Sequence, residues 1–441
     1  MLLATLGAEA YVLSRLRFDR FIIATVLGGT ALCVNYLSYT SIAERNYDGS
    51  SQVEYIQFIS EHLRLPDTYA CGACGHPPLY YLLGAAWSKA VHTSTGMPLD
   101  LCLKWLSLLL FFGFVVFALL IVRSCTLDKT SQRLAAALIV FWPSSIINSV
   151  RVHNDALASL LMLAALFFVA NWDRTGRKRD LYFAICASAL GLLTKASAYA
   201  VVVTVLCFVS LWLFRQAMHK DKTLLRQGIM QASIALIVFA GVALLAVVLR
   251  ASRETTTLCQ KVLGHACDGR YVPLAVDTPG RYFYFDVPDF VLRMDATPLN
   301  PTRDYFLNRL LKSSLFGTTP LGGEFAGTSY ERLSVLISLL LLAMILICFV
   351  SAPLLRQTDF SRVYLGSTII MLLCLLAFRL RAPNEFHEDF RHIFAALVPL
   401  CLFYTLIVER LRAFSKVLYV TGVMIGVLMV LSSVAFFVRI S

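Results

Sequence analysis

Apolar residues in this chain come in long unbroken runs separated by short clusters of charge. That pattern is neither the alternation of a half-buried strand nor the narrow apolar stripe of a soluble helix. A run of about 20 mostly apolar residues crosses a bilayer as a helix. Such runs lie at 21–40, 101–122, 134–150, 155–170, 181–193, 199–214, 229–249, 333–350, 363–378, 393–408 and 417–438. They predict an all-α polytopic membrane protein with about eleven transmembrane helices, because only helices and closed barrels satisfy the backbone inside lipid. Three runs are short. The run 134–150 leads into Arg151-Val152-His153-Asn154-Asp155, and 181–193 and 199–214 are parted only by residues 194–198, so this pair could also form one bent hairpin.

Two stretches between runs carry a different pattern. After Asp48-Gly49, the apolar positions Val53, Ile56, Phe58 and Ile59 have the spacing of an amphipathic helix lying on the membrane surface. His76-Pro77-Pro78 then opens a second apolar stretch, to Val91, that is too short to span and reads as another interfacial helix.

Composition agrees with this picture. Of 441 residues, 58% are hydrophobic and 15% charged, with a mean hydropathy of +0.71, which excludes an ordinary set of soluble domains. The net charge of +12 raises the question of nucleic acid until the charges are placed. With the N-terminus inside, the segments 1–20, 123–133, 171–180, 215–227, 351–362 and 409–416 are cytoplasmic and hold nineteen Lys and Arg against eight acids. The positive-inside rule supports that orientation, and +11 of the +12 becomes an orientation signal with no nucleic-acid partner. The expected layout is a cytoplasmic N-terminus (1–20), an N-terminal membrane module (21–250) with a first extracytoplasmic loop (41–100), an extracytoplasmic loop (251–332) and a C-terminal membrane module (333–441). The opening Met-Leu-Leu run has no basic residue before it, so the first span reads as an uncleaved anchor. The lack of a usable Asn-x-Ser/Thr acceptor favours a bacterial inner membrane.

Candidate chemistry gathers on the outer face. Asp48 follows the first span and suits either a helix cap or a general base. Asp155 stands at the outer mouth of the fourth span, and an ionisable residue at a membrane boundary is a functional candidate. Lys195 has no acid near it in sequence, so it reads either as a snorkelling cation or as one aimed at a lipid phosphate. Arg391 has Asp389 and Glu388 beside it for pairing, or can hold a phosphate with its planar fork. His76 suits substrate hydroxyls or phosphate. Four cysteines lie on this face, Cys71, Cys74, Cys259 and Cys267. They suit two disulfides of undetermined pairing, with a zinc site as the sharper alternative.

Read together, Tyr47-Asp48, Glu54-Tyr55-Ile56, His76-Pro77-Pro78-Leu79-Tyr80-Tyr81, Asn154-Asp155, Leu193-Thr194-Lys195, Leu311-Lys312-Ser313-Ser314-Leu315-Phe316-Gly317 and Asp389-Phe390-Arg391 resemble the GT-C superfamily of glycosyltransferases. The likeness is to the branch of protein O-mannosyltransferases and the lipid A aminoarabinose transferase, and it runs from about residue 20 to 410. The order and shared outer location of the motifs carry it. The resemblance implies transfer of a sugar from a polyprenyl-phosphate donor, without nucleotide sugars, to a membrane-associated lipid, glycan or protein acceptor. It implies Asp48 as catalytic base, with a divalent metal used in some relatives. The chain departs from the pattern in having Gln52 where many relatives have His, and Gly49 where a second acid usually follows.

Chemistry completes the expected roles. A polyprenyl phosphate leaves without a proton, so the site needs one base and cations for the departing phosphate. Asp48 is then the base, with Glu54 and Asp155 orienting acceptor or sugar. Lys195, Arg391 and Lys312 face the phosphate, and His76, Tyr80 and His392 line the pocket. Direct attack predicts inversion at the anomeric carbon. The competing reading is a transporter or flippase for a lipid-linked sugar or anionic solute, which would place ionisable residues near the midplane and repeat its halves. Here the span centres are nearly charge-free and no repeat is visible. A non-catalytic assembly protein would have no need of Asp48, Lys195 and Arg391 together. Walker-type and dinucleotide-binding glycine motifs are absent, which argues against a nucleotide-driven pump.

Overall fold

The computed structural model describes residues 2–40, 49–68, 70–125, 127–218, 222–251, 278, 280–294, 305–317, 325, 327–354, 362–381 and 389–438. Asp48, Cys259 and Cys267 lie outside the described residues. Among the described residues the regular structure is entirely helical: α1 (Leu2–Arg15), α2 (Arg20–Tyr39), α3 (Gly49–His62), α4 (Leu79–Thr95), α5 (Leu99–Ser124), α6 (Lys129–Phe141), α7 (Pro143–Val150), α8 (Asp155–Thr175), α9 (Lys178–Thr194), α10 (Tyr199–Met218), α11 (Lys222–Ala251), the short α12 (Gly280–Phe283) and α13 (Val287–Leu292), α14 (Phe306–Phe316), α15 (Thr328–Ser351), α16 (Arg362–Arg381), α17 (Leu397–Leu411) and α18 (Lys416–Phe437). Two 3-10 segments, Ala196–Ala198 and Phe390–Ala396, lead into α10 and α17.

Every apolar run forms a helix, but the count of eleven spans is not reached. Nine described helices are long and apolar enough to cross a membrane. A tenth span is α6 and α7 together, which meet at a bend of 49°. The helix α9 has 17 residues, at the lower limit for a crossing. The bend follows from sequence: Pro143 lacks the N–H that would continue α6 and fits the first turn of a new helix.

Polar residues set the helix ends. Asp19 caps α2 by accepting from the Ile22 N–H at 3.0 Å, and Asp128 caps α6 by accepting from Ser131 at 2.7 Å. Between apolar helices in lipid, close packing replaces the hydrophobic effect as the cohesive force. A Cβ added at Gly29 would stand 2.2 Å from Cγ1 of Val140, so α2 and α6 touch through a glycine.

Residues 2–15, inside the segment read as a cytoplasmic N-terminus, form α1, which folds back along α2. The Thr30 hydroxyl donates to Oε2 of Glu9 at 2.8 Å and both side chains are buried.

The interfacial helices form where the pattern predicted them. In α3 the face turned inward is Gln52, Tyr55, Ile56 and Ile59, with Val53 and Phe58 half-buried. Pro77 and Pro78 precede α4 instead of forming its first turn: Pro77 stands before another proline and so disfavours the helical region, and Pro78 is the N-cap. The Tyr55 and Tyr81 rings stack at 3.9 Å and tie α3 to α4.

Candidate active site

Five pieces from four separate stretches of sequence meet at one face of the helical bundle. They are the linker 151–154 between α7 and α8, the first turn of α8, the end of α9, the 3-10 turn before α17, and the α3–α4 pair. Asp155 is the first residue of α8, and the Asn154 side chain makes no capping hydrogen bond there. Its carboxylate instead receives Lys195 on Oδ1, and His153 Nδ1 lies 2.6 Å from Oδ2. Arg391 Nε stands 4.0 Å from Oδ2 of Asp155 and 3.1 Å from Oδ2 of Asp389. All five side chains are buried or nearly so. Among the described residues, Arg151, Lys195 and Arg391 share this site with Asp155 and Asp389. Clustered cations in a low-dielectric site attract an anion.

The backbone is held to match. The Ser107 hydroxyl of α5 donates to the carbonyl of Arg151 at 2.7 Å, which fixes the linker. Lys195 ends α9 in an extended conformation (φ −157°, ψ 139°), and its N–H reaches back to Gly191 O at 2.8 Å. Asp389 caps its 3-10 turn, accepting from the Arg391 N–H at 3.0 Å. Burial alone would push the Asp389 carboxyl up. The Arg391 guanidinium, aided by His392, the Arg391 N–H and Arg151, outweighs burial and holds the carboxyl below its ordinary 3.8.

A second network joins this group to α3. The Tyr81 hydroxyl donates to Oε1 of the buried Gln52 at 2.7 Å. The Asn154 amide reaches both the Tyr81 hydroxyl and the carbonyl of Thr194 at 3.4 Å. The start of α3, where the chain leaves Asp48, is therefore tied to the linker that carries His153.

Between the polar groups lies a cavity of about 20 Å³, lined by Arg151, His153, Asp155, Arg391, Phe111 and Phe394 among others. It has room for about one water-sized group.

Of the residues expected from sequence, the structure brings Asp155, Lys195 and Arg391 together, with half-buried His392 next to Arg391. Tyr80 is buried, edge-on to Tyr81 at 5.5 Å. Glu54 is exposed on the outer side of α3, and His76 is half-buried before α4. Lys312 donates to Phe290 O at 2.9 Å and to the Ser338 hydroxyl at 2.7 Å, so it braces α14 against α13 and α15. Arg151, His153 and Asp389 belong to the cluster as well, although the sequence reading gave them no part in the chemistry. The signal was present in their position at membrane boundaries, the criterion that picked out Asp155.

Cys71 and Cys74 are bonded to each other, so neither thiol serves the zinc alternative. Among the described residues no three His, Cys, Asp or Glu side chains are grouped to hold a metal.

Solved structures of membrane proteins share this all-α fold. The chain resembles the oligosaccharyltransferase of Archaeoglobus fulgidus, solved in complex with Zn and sulfate, at a TM-score of 0.52 and 13% identity. It also resembles oligosaccharyltransferase AglB from the same organism, in complex with an inhibitory peptide and a dolichol-phosphate, at 0.50 and 12%. These matches cover 94% and 95% of this chain, which spans about half the length of those proteins, 53% and 55%. A further similar structure is ArnT from Cupriavidus metallidurans bound to undecaprenyl phosphate. Its TM-score is 0.43 and its identity 12%, over 94% of this chain and 76% of that one. Comparison of the sequence with protein-family models and with curated proteins gave no match.

Proposed function

We propose that this chain is an integral membrane glycosyltransferase of the GT-C type. It takes a sugar from a polyprenyl-phosphate donor and passes it to an acceptor hydroxyl at the extracytoplasmic face. The observation that carries the reading is the meeting of Lys195 and Arg391 at Asp155, with Arg151 lining the same buried cavity, at one face of this fold. Such clustered cations suit the phosphate of a lipid-linked donor. The fold likeness to a protein solved with a dolichol-phosphate supports a lipid-linked donor.

In the proposed reaction Asp48 takes the proton of the acceptor hydroxyl as that oxygen attacks the anomeric carbon. The bond from the anomeric carbon to the phosphate oxygen breaks, and the polyprenyl phosphate departs with the electron pair. Lys195 and Arg391 face that developing charge. Attack opposite the leaving group inverts the anomeric centre. Asp155 acts on the cations, holding Lys195 and Arg391 at a fixed spacing. Glu54 stays a candidate for orienting the acceptor from the exposed side of α3, and His76 for contacting it. A divalent metal remains a candidate cofactor only through residues outside the described set, and no step above depends on one.

The test is sugar transfer by the purified protein from a panel of polyprenyl-phosphate sugars. Asp48→Asn is expected to lower kcat by at least about a hundredfold with donor affinity kept. Turnover equal to wild type removes the base assignment, and failure of any panel donor to bind wild type removes the enzyme reading in favour of transport.

A further inference from the structure

The opposite face of the bundle carries a second concave charged site. Helix α8 runs from Asp155 to Thr175, about 31 Å at 1.5 Å per residue, so its far end lies across the bilayer from the candidate active site. There the ends of α5 and α8 and the start of α9 enclose a groove of about 520 Å³. Its rim holds Arg123, Arg174, Arg177 and Arg179, with Asp180 the one acid in the lining. Its wall is apolar. Phe167 and Phe168 lie six to seven residues up α8 from Arg174, about 10 Å deeper toward the hydrocarbon. Phe183 is 53% exposed on α9, on the same wall.

We propose that this groove binds an anionic phospholipid of the leaflet opposite the active site, with the phosphate at the arginine rim and an acyl chain along the phenylalanines. Charge sets the groove apart from an ordinary positive membrane edge. Elsewhere on this face Arg133 lies 2.8 Å from Asp19 and Arg412 3.5 Å from Asp128. In the groove four guanidiniums face one carboxylate, and the nearest pair, Arg179 with Asp180, is at 3.9 Å. Two of the four are aimed by the protein. Arg123 donates to Leu16 O at 2.6 Å, and Arg174 donates to Asn171 Oδ1 at 3.0 Å and Ser124 O at 3.4 Å. The planar forks of Arg177 and Arg179 remain at the exposed rim to grip phosphate oxygens. The rim and the deeper aromatic wall together match a molecule that is anionic at one end and apolar at the other. The volume is that of a typical small-molecule site.

The test is native mass spectrometry of the full chain in neutral detergent, titrated with phosphatidylglycerol, phosphatidylcholine or soluble glycerol phosphate. Phosphatidylglycerol is expected to bind at one site at least about tenfold tighter than phosphatidylcholine. The triple variant Arg174→Gln, Arg177→Gln, Arg179→Gln is expected to lose that preference. The double variant Arg177→Glu, Arg179→Glu alters only exposed side chains, so it reports even where the triple variant folds poorly, and it should lower binding at least about tenfold. Equal binding of the two lipids, unchanged binding in the double variant, or displacement by glycerol phosphate at the same concentration as the lipid overturns the proposal. None of these readouts uses sugar transfer, so they stand or fall apart from the function proposed above.

Discussion

Asp155 has a lysine and an arginine against one carboxylate, and removing it would leave those cations facing each other in a buried site. Breaking one side of a buried ion pair costs about 3–5 kcal/mol, whereas replacing both partners with apolar residues is often nearly neutral. Asp155→Ala is therefore expected to lower the Tm in detergent sharply, and Asp155→Asn with Lys195→Met to recover most of the loss while staying inactive. A thermal unfolding series on the three proteins checks this. Lys312→Met should behave differently, lowering stability through the lost bonds to Phe290 and Ser338 with donor affinity unchanged. Asp389 sets a pH limit. Its folded carboxyl titrates below the ordinary 3.8, so its contribution is present above that value and is lost as pH falls through the lower one. Unfolding midpoints measured from pH 6 down to pH 3 should drop at the acid end, and Asp389→Asn should flatten that drop. The sequence exposed Asp155, Lys195 and Arg391 individually because charge at a membrane boundary is costly and conspicuous. It could not show that Asp155 meets Lys195, which lies 40 positions away, since several acids share that face. Arg151 and His153 looked like flanking residues until the linker folded them inward.

At the scale of elements, hydrophobic run length foretold where helices lie, whereas the caps Asp19 and Asp128 became visible only in the structure. Run length did not foretell how they touch. The contact of α2 with α6 depends on Gly29, whose missing side chain makes room for Val140. Gly29→Leu is expected to cost about 1–3 kcal/mol through overpacking, and Val140→Ala to restore part of it, measured by unfolding of the single and double variants. The bend between α6 and α7 was equally hidden, because residues 134–150 read as one short run. Only the break at Trp142 and Pro143 lets the Trp142 indole reach Ser314 O at 2.7 Å and join α14 to the bundle.

For the whole molecule, the orientation drawn from Lys and Arg counts makes a direct prediction. Cysteine introduced at the exposed Arg179 should react with a membrane-impermeant maleimide only from the cytoplasmic side of intact cells or vesicles, and at the exposed Glu54 only from the outside. The reversed result inverts the proposed topology. The all-α membrane architecture was legible because lipid leaves a chain of this composition few alternatives. The fold of α1 against α2 was not, because residues 2–15 contain Glu9 and lack the length of a span. One feature of the site also bears on how the chain is made. Asp155 opens α8 and Lys195 follows α9, so the two charges sit at the matching ends of one antiparallel helical hairpin. A ribosome delivers that hairpin as a unit, and its acid and base can neutralise each other while entering the bilayer. Arg391 emerges about two hundred residues later. The ion pair of Asp155 with Lys195 can therefore form first, and the guanidinium that stands beside it arrives only as the last helices close the bundle.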